Sequence, residues 1–185
     1  MNPSTHSSFR KSQHDFYEYV SSSLNFVEAK NGSLVAFDIA LLIGLLQPLQ
    51  YPWFSSYPLL LVGLLISFVL LIASLLVALW SFYPKSSSKD QPKKLTDDER
   101  KKYILSLYST ENITTLGYDE LKTFLQSRHT GEPITEADEA FIRCIFHKAA
   151  VSSRKYKRFR IALKWACASV IATTITIISY IILNF

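Results

Sequence analysis

Residues 58–80 of this chain contain no Asp, Glu, Lys, Arg or His, and most of their side chains are aliphatic. At about 1.5 Å rise per residue, a helix of this length reaches roughly 30 Å, the thickness of the bilayer hydrocarbon. A helix in a soluble core rarely stays apolar on every side for so long. The segment predicts a transmembrane helix, and the rest of the chain must be organised around it.

Two further apolar blocks flank it. Residues 161–185 carry one charge, Lys164, and are rich in Ile, Val, Ala and Thr. Such β-branched residues favour a strand in water, but a lone strand in lipid leaves its backbone groups unsatisfied, so a helix is expected. Residues 33–49 are shorter and contain Asp38. An ionised Asp at mid-bilayer costs about 2.5–3.5 kcal/mol on insertion scales. Asp38 sits about a turn and a half inside its block, short of the midplane, so spanning is favoured over lying on the surface. The short connection at 50–56 makes the first two blocks a helical hairpin. The expected fold is an all-α integral membrane protein with three transmembrane helices: spans at about 33–49 and 58–80 in a hairpin over 33–83, and a C-terminal span at 161–185. The first thirty residues are polar and lack an early apolar core, so no signal peptide is expected and the first span remains in the mature protein.

Positive charge sets the expected orientation. The 50–57 connection has no Lys or Arg, whereas Lys85, Lys89, Lys93 and Lys94 follow the second span. Arg154, Lys155, Lys157, Arg158, Arg160 and Lys164 lead into the last span, and Arg10, Lys11 and Lys30 precede the first. This places the amino terminus and residues 84–160 in the cytoplasm of a bacterial inner membrane and Phe185 in the periplasm. Tyr51, Trp53, Phe54 and Tyr57 suit an outer aromatic belt, and Trp80, Tyr83 and Trp165 an inner one. The basic excess is thus mainly a topology signal, although residues 154–164 also suit anionic lipid. Nucleic-acid binding is compatible with charge alone and has no other support.

Outside the spans, residues 1–32 read as a cytoplasmic amphipathic helix with Phe16, Val20, Leu24 and Val27 on one face. It either runs into the first span or breaks at Asn31-Gly32. Residues 84–160 form a small helical cytoplasmic domain of sensing or docking type. It opens with a Ser-, Lys- and Pro-rich linker at 84–94, then a capping box at Thr96-Asp97-Asp98-Glu99 starts a helix to about Ser109. A third short helix covers 117–128, closed by a turn at Gly131-Glu132-Pro133. Thr135-Glu136-Ala137-Asp138 starts another, which meets no breaker before the last span. A single rod able to transmit a cytoplasmic event would follow, and a break near Ser152-Ser153 would undo that reading.

No residue pattern points to catalysis, a cofactor or a metal. His6, His14, His129 and His147 have no ligand spacing with one another or with Cys144 and Cys167. No phosphate loop, nucleophile elbow or His-Glu helix motif is present. A domain of under about eighty residues is also small for an enzyme. The candidate site residues lie in the spans. Asp38 is either a pore-lining or helix-pairing carboxylate, or a protonated or snorkelling Asp at the inner interface. Gly63 and Ser67 form a small-xxx-small pair, while Ser169, Thr173 and Thr176 make a helical stripe; ordinary close packing is the plainer account of both. Residues 118–122 and Arg143 suit either a partner contact or a solvated helix face.

The run Glu28-Ala29-Lys30-Asn31-Gly32-Ser33-Leu34-Val35-Ala36-Phe37-Asp38, followed by an apolar hairpin, resembles the start of Pycsar-type transmembrane effectors and of similar small membrane effectors in retron defence systems. The second span ends similarly, at Phe82-Tyr83-Pro84-Lys85, and the last is approached through Lys155-Tyr156-Lys157-Arg158-Phe159-Arg160. The likeness covers most of the membrane part and only loosely residues 94–150. It departs at Asp38, where Asn is the expected residue. What it implies is an anti-phage effector that a cyclic mononucleotide, or a reverse transcriptase–nucleic acid complex, releases during infection. Its spans would then oligomerise, most simply as a homo-oligomer, and disrupt the lipid bilayer to stop growth. The alternative is a non-toxic anchor or scaffold whose cytoplasmic domain recruits a partner.

Overall fold

The computed structural model describes residues 3–50, 57–83, 109–127 and 135–184. Tyr51, Trp53 and Phe54 of the expected outer belt, the 84–94 linker, the helix expected from Thr96 and the turn at 131–133 lie outside them. The described residues form five α-helices, and no strand occurs among them: α1 (Pro3–Leu46), α2 (Pro58–Phe82), α3 (Thr110–Leu116), α4 (Tyr118–Ser127) and α5 (Glu136–Asn184), with a 3-10 turn at Gln47–Gln50 after α1. Among the described residues, three helices are long and apolar enough to cross a membrane, as the hydropathy pattern requires: α1, α2 and α5.

Two expectations about breaks resolve in favour of continuity. α1 runs through Asn31-Gly32, and α5 runs through Ser152-Ser153. A Gly in a helix interior costs only about 1 kcal/mol relative to Ala, which packing readily outweighs. Asn31 itself is fully buried and donates from Nδ2 to Ser81 Oγ at 2.8 Å, so it supports the helix instead of ending it. The start of α5 follows its sequence signal. Thr135 Oγ1 accepts from the Asp138 amide at 3.2 Å, and the Thr135 amide donates to Asp138 Oδ2, also at 3.2 Å.

The chain divides into two compact units. The first comprises residues 1–27 and 85–154. Its core is that of a soluble helical domain: Val20 from α1, Ile113 and Leu116 from α3, Leu121 and Leu125 from α4, and Ile142, Ile145 and Ala149 from α5. Gly117, at φ 90°, turns the chain sharply between α3 and α4, a left-handed backbone that favours glycine. α3 was not expected from the sequence, because its Thr-Glu-Asn-Ile-Thr-Thr-Leu run is poor in strong helix formers. It forms because Ile113 and Leu116 both reach the core.

The second unit comprises residues 28–84 and 155–185. Along α2 the buried residues are Leu60, Leu64, Ser67, Leu71, Ser74, Ala78 and Ser81, alternating steps of four and three. That is the seam of a left-handed helical bundle, with small or polar residues where a soluble coiled coil would place large apolar ones. Apart from Leu60, Leu64 and Leu71, the large apolar side chains of α2 point outward. Leu59, Leu65, Ile66, Val69 and Leu76 are each more than half exposed. Leaving these five as exposed in water as they are here would forgo about 5–8 kcal/mol of burial, a sum within the range of a soluble domain's whole stability. Lipid contact removes that cost.

Candidate functional site

The site grows from the inward face of this bundle. α1 presents Asn31, Leu34 and Asp38 to it, again at steps of three and four. α2 supplies Ser67, Ser74 and Ser81, one per heptad, and α5 supplies Ala162, Ala166 and Ser169. The result is a ladder of polar contacts between spans. Asn31 meets Ser81; Asp38 meets Ser74; Ser169 Oγ donates to the Ser67 carbonyl at 2.8 Å. At the next level Gly63 faces Thr176 so closely that a Cβ on residue 63 would stand 2.9 Å from Thr176 Cβ and closer still to its other side-chain atoms.

Asp38 occupies the middle of the ladder and is wholly buried. Ser74 Oγ lies 2.7 Å from Asp38 Oδ2 and 2.9 Å from the Ala162 carbonyl, so one hydroxyl joins α1, α2 and α5. A serine has a single proton and cannot fully donate to both oxygens. With a protonated carboxyl, the relay Asp38 to Ser74 to Ala162 has one proton for each bond. With a carboxylate, Ser74 must divide its proton between two acceptors. Asp38 Oδ1 and Asn31 Oδ1 are buried with no hydrogen-bond partner. Such groups are expensive in a low-dielectric interior, which makes the Asn31 and Asp38 rungs the costliest of the ladder.

The candidates from sequence are distributed as follows. Gly63 and Thr176 form the close approach, Ser67 and Ser169 form an interspan hydrogen bond, and Thr173 bonds the Ser169 carbonyl of its own helix at 2.9 Å. Asp38 meets Ser74, not the Gly63–Ser67 pair. Ser74, Ser81 and Asn31 were missed, although the seven-residue repeat of serines at 67, 74 and 81 is visible in the sequence.

The basic cluster is partly committed to protein contacts. Arg154 Nε donates to the Ala150 carbonyl at 3.2 Å, and Lys155 pairs with Glu28. Arg158 Nη1 donates to the Trp80 carbonyl at 2.7 Å, at the C-terminal end of α2, where orphan carbonyls and the helix dipole favour a cation. Lys157, Arg160 and Lys164 are exposed. In the other unit, Tyr118, Lys122 and Arg143 gather around Glu139: Arg143 Nη2 at 2.9 Å, Tyr118 Oη at 3.2 Å and Lys122 Nζ at 3.3 Å. The Arg143 hydrogen bond, then those of Lys122 and Tyr118, holds the Glu139 carboxyl below its usual range. His14, Asp15 and Glu18 also lie close together, all exposed, on α1.

Comparison with known proteins fits this geometry. A family model described as the Pycsar effector protein domain matches residues 14–183, nearly the whole chain. The chain belongs to the Pycsar effector family. It is therefore a transmembrane effector of anti-phage defence, and the polar ladder lies within the matched region. No curated protein and no solved structure shows detectable similarity to this Pycsar effector.

Proposed function

We propose that this effector resides in the bacterial inner membrane, responds to a cyclic mononucleotide through its cytoplasmic unit, and then oligomerises and breaches the membrane, arresting growth as abortive infection. The observation that carries the reading is the polar ladder inside three otherwise apolar spans. Three helices are too few to enclose a water-filled path, so a breach requires several copies. Hydroxyls that bond backbone carbonyls, as in the Ser169–Ser67 contact, suit such an exchange of partners, because every helix offers carbonyls. The positive-inside asymmetry supports a cytoplasmic amino terminus and 84–160 region. In this reading the chain acts by binding and assembly and performs no catalysis.

The test is membrane potential, followed with a voltage-sensitive dye in a bacterial host making the full chain. The reading expects depolarisation within minutes when a nucleotide cyclase supplies one of the four common cyclic mononucleotides, and a weaker response without it. Depolarisation that needs a reverse transcriptase with its noncoding RNA would reassign the trigger to the retron alternative. An unchanged potential under every trigger, with the protein confirmed in the membrane, would leave the anchor or scaffold reading standing.

A further inference from the structure

The membrane unit contains a groove of about 400 Å³ among its three spans, lined by Ala40 and Gly44 of α1, Leu64 and Leu71 of α2, and Thr173 and Ile177 of α5. On α2 its lining runs from Leu60 to Leu71, roughly 16 Å at the helical rise. That is about half of a ~30 Å hydrocarbon core, the depth of one leaflet. A helix with its side chains is about 10–12 Å across and would fill roughly 1,500 Å³ over that length, more than the groove holds. A single extended hydrocarbon chain fits.

The lining chemistry selects the same occupant. No charged residue contributes to it. Its hydroxyls are already satisfied: Ser169 donates to the Ser67 carbonyl, Thr173 to Ser169, Thr174 to Val170 and Thr176 to Ala172. The groove therefore has no unmet donor for a polar ligand. Gly44 adds no side chain to the wall, and a Cβ there would meet nothing within 4 Å. We propose that this groove is a lipid site holding one acyl chain of a bilayer phospholipid, from the leaflet at the hairpin end of the spans. Because Ser169 belongs both to the groove and to the polar ladder, the tail closes the ladder against the surrounding bilayer. Recognition through the tail makes the site sensitive to chain length and indifferent to the headgroup. This inference does not depend on the effector reading.

The experiment is native mass spectrometry of the full chain released from nanodiscs, counting retained phospholipid. Gly44→Leu fills the groove. Gly32→Leu is the control, since residue 32 also has open space around it but does not line the groove. Thermal melting confirms that both variants are folded. The expected result is one tightly held lipid on the native chain and on the Gly32→Leu variant, and about tenfold lower retention on Gly44→Leu, as expected for excluding two or so methylenes. Retention should be equal for phosphatidylcholine and phosphatidylglycerol with the same tails, and lower for short tails. Equal retention by Gly44→Leu, retention that follows the headgroup, or no lipid on the native chain would each overturn the proposal. So would a Gly44→Leu variant that loses oligomer peaks while keeping its lipid, because the occupant would then be a second copy.

Discussion

In the unit of residues 1–27 and 85–154, Ile113, Leu116, Leu121, Ile142 and Ile145 are buried with Phe16, Tyr17 and Phe141 packed around them. In the unit of residues 28–84 and 155–185, Asn31, Asp38, Ser67, Ser74, Ser81 and Ser169 are buried beside alanines and a few leucines, and most of the large aliphatic side chains face out. One chain thus builds two interiors of opposite kind. In water the first gains its stability by hiding apolar surface. In lipid that driving force is absent, and close backbone approach with interspan hydrogen bonds takes its place. The same substitution should therefore have different consequences in the two units.

The largest effect is expected in the first unit. Ile145→Ala or Leu121→Ala should lower its unfolding free energy by about 2–5 kcal/mol, because each opens a cavity in a packed core. Denaturant titration of the purified chain checks this, and a loss below about 1 kcal/mol would mean that this core is loosely packed. Truncating Leu59 or Leu65, equally large but lipid-facing, should have little effect on the same measurement made in lipid.

The next effect comes from adding atoms to the seam. Gly63→Val should destabilise the span assembly by about 1–3 kcal/mol through overpacking against Thr176. Thr176→Ala should restore part of that loss, and the double-mutant cycle isolates the coupling. Additive effects would show that residues 63 and 176 are not in contact.

Asp38 sharpens the comparison further. Asp38→Ala removes one interspan hydrogen bond, a loss of about 0.6 kcal/mol on average and up to about 1.7 in measured membrane cases. Asp38→Asn should be close to neutral, since an amide can donate to Ser74 and leave that hydroxyl free for the Ala162 carbonyl. Stability of the spans in bicelles reads both, and a larger loss for Asn than for Ala would contradict the relay.

The smallest effect belongs to Glu139. Its carboxyl is held below the ordinary value of 4.5, chiefly by Arg143. A depressed folded-state value means that its contribution is present above pH 4.5 and lost as pH falls through the folded-state value. The group is solvent-screened, so Glu139→Gln should change the melting temperature at pH 7 only slightly and should flatten the acid limb of the stability profile.

How much of this was legible in the sequence follows from the same contrast. Spans were readable because a charge-free run of this length has few alternatives, as residues 58–80 illustrate. The likeness at Glu28–Asp38 and Lys155–Arg160 also anticipated the family. The seam was half readable. Gly63 and Ser67 stand out by spacing, but Ser74 and Ser81 look like incidental polar residues until Asp38 and Asn31 are placed opposite them. Asn31-Gly32 reads locally as a break, and only the distant Ser81 reverses that reading. α3 was invisible because its helix depends on Ile113 and Leu116 meeting α4 and α5, not on propensity.

The central claim is that α2 turns its three seam serines inward, together with Ala78 and three leucines, and most other aliphatic side chains toward lipid. A nitroxide scan along residues 59–82 in liposomes, reading collision rates with dissolved oxygen, tests it most directly. The account predicts minima at Leu60, Leu64, Ser67, Leu71, Ser74, Ala78 and Ser81, with maxima at Leu65, Val69 and Leu76. High oxygen access at the three serines, or no periodicity, would contradict it.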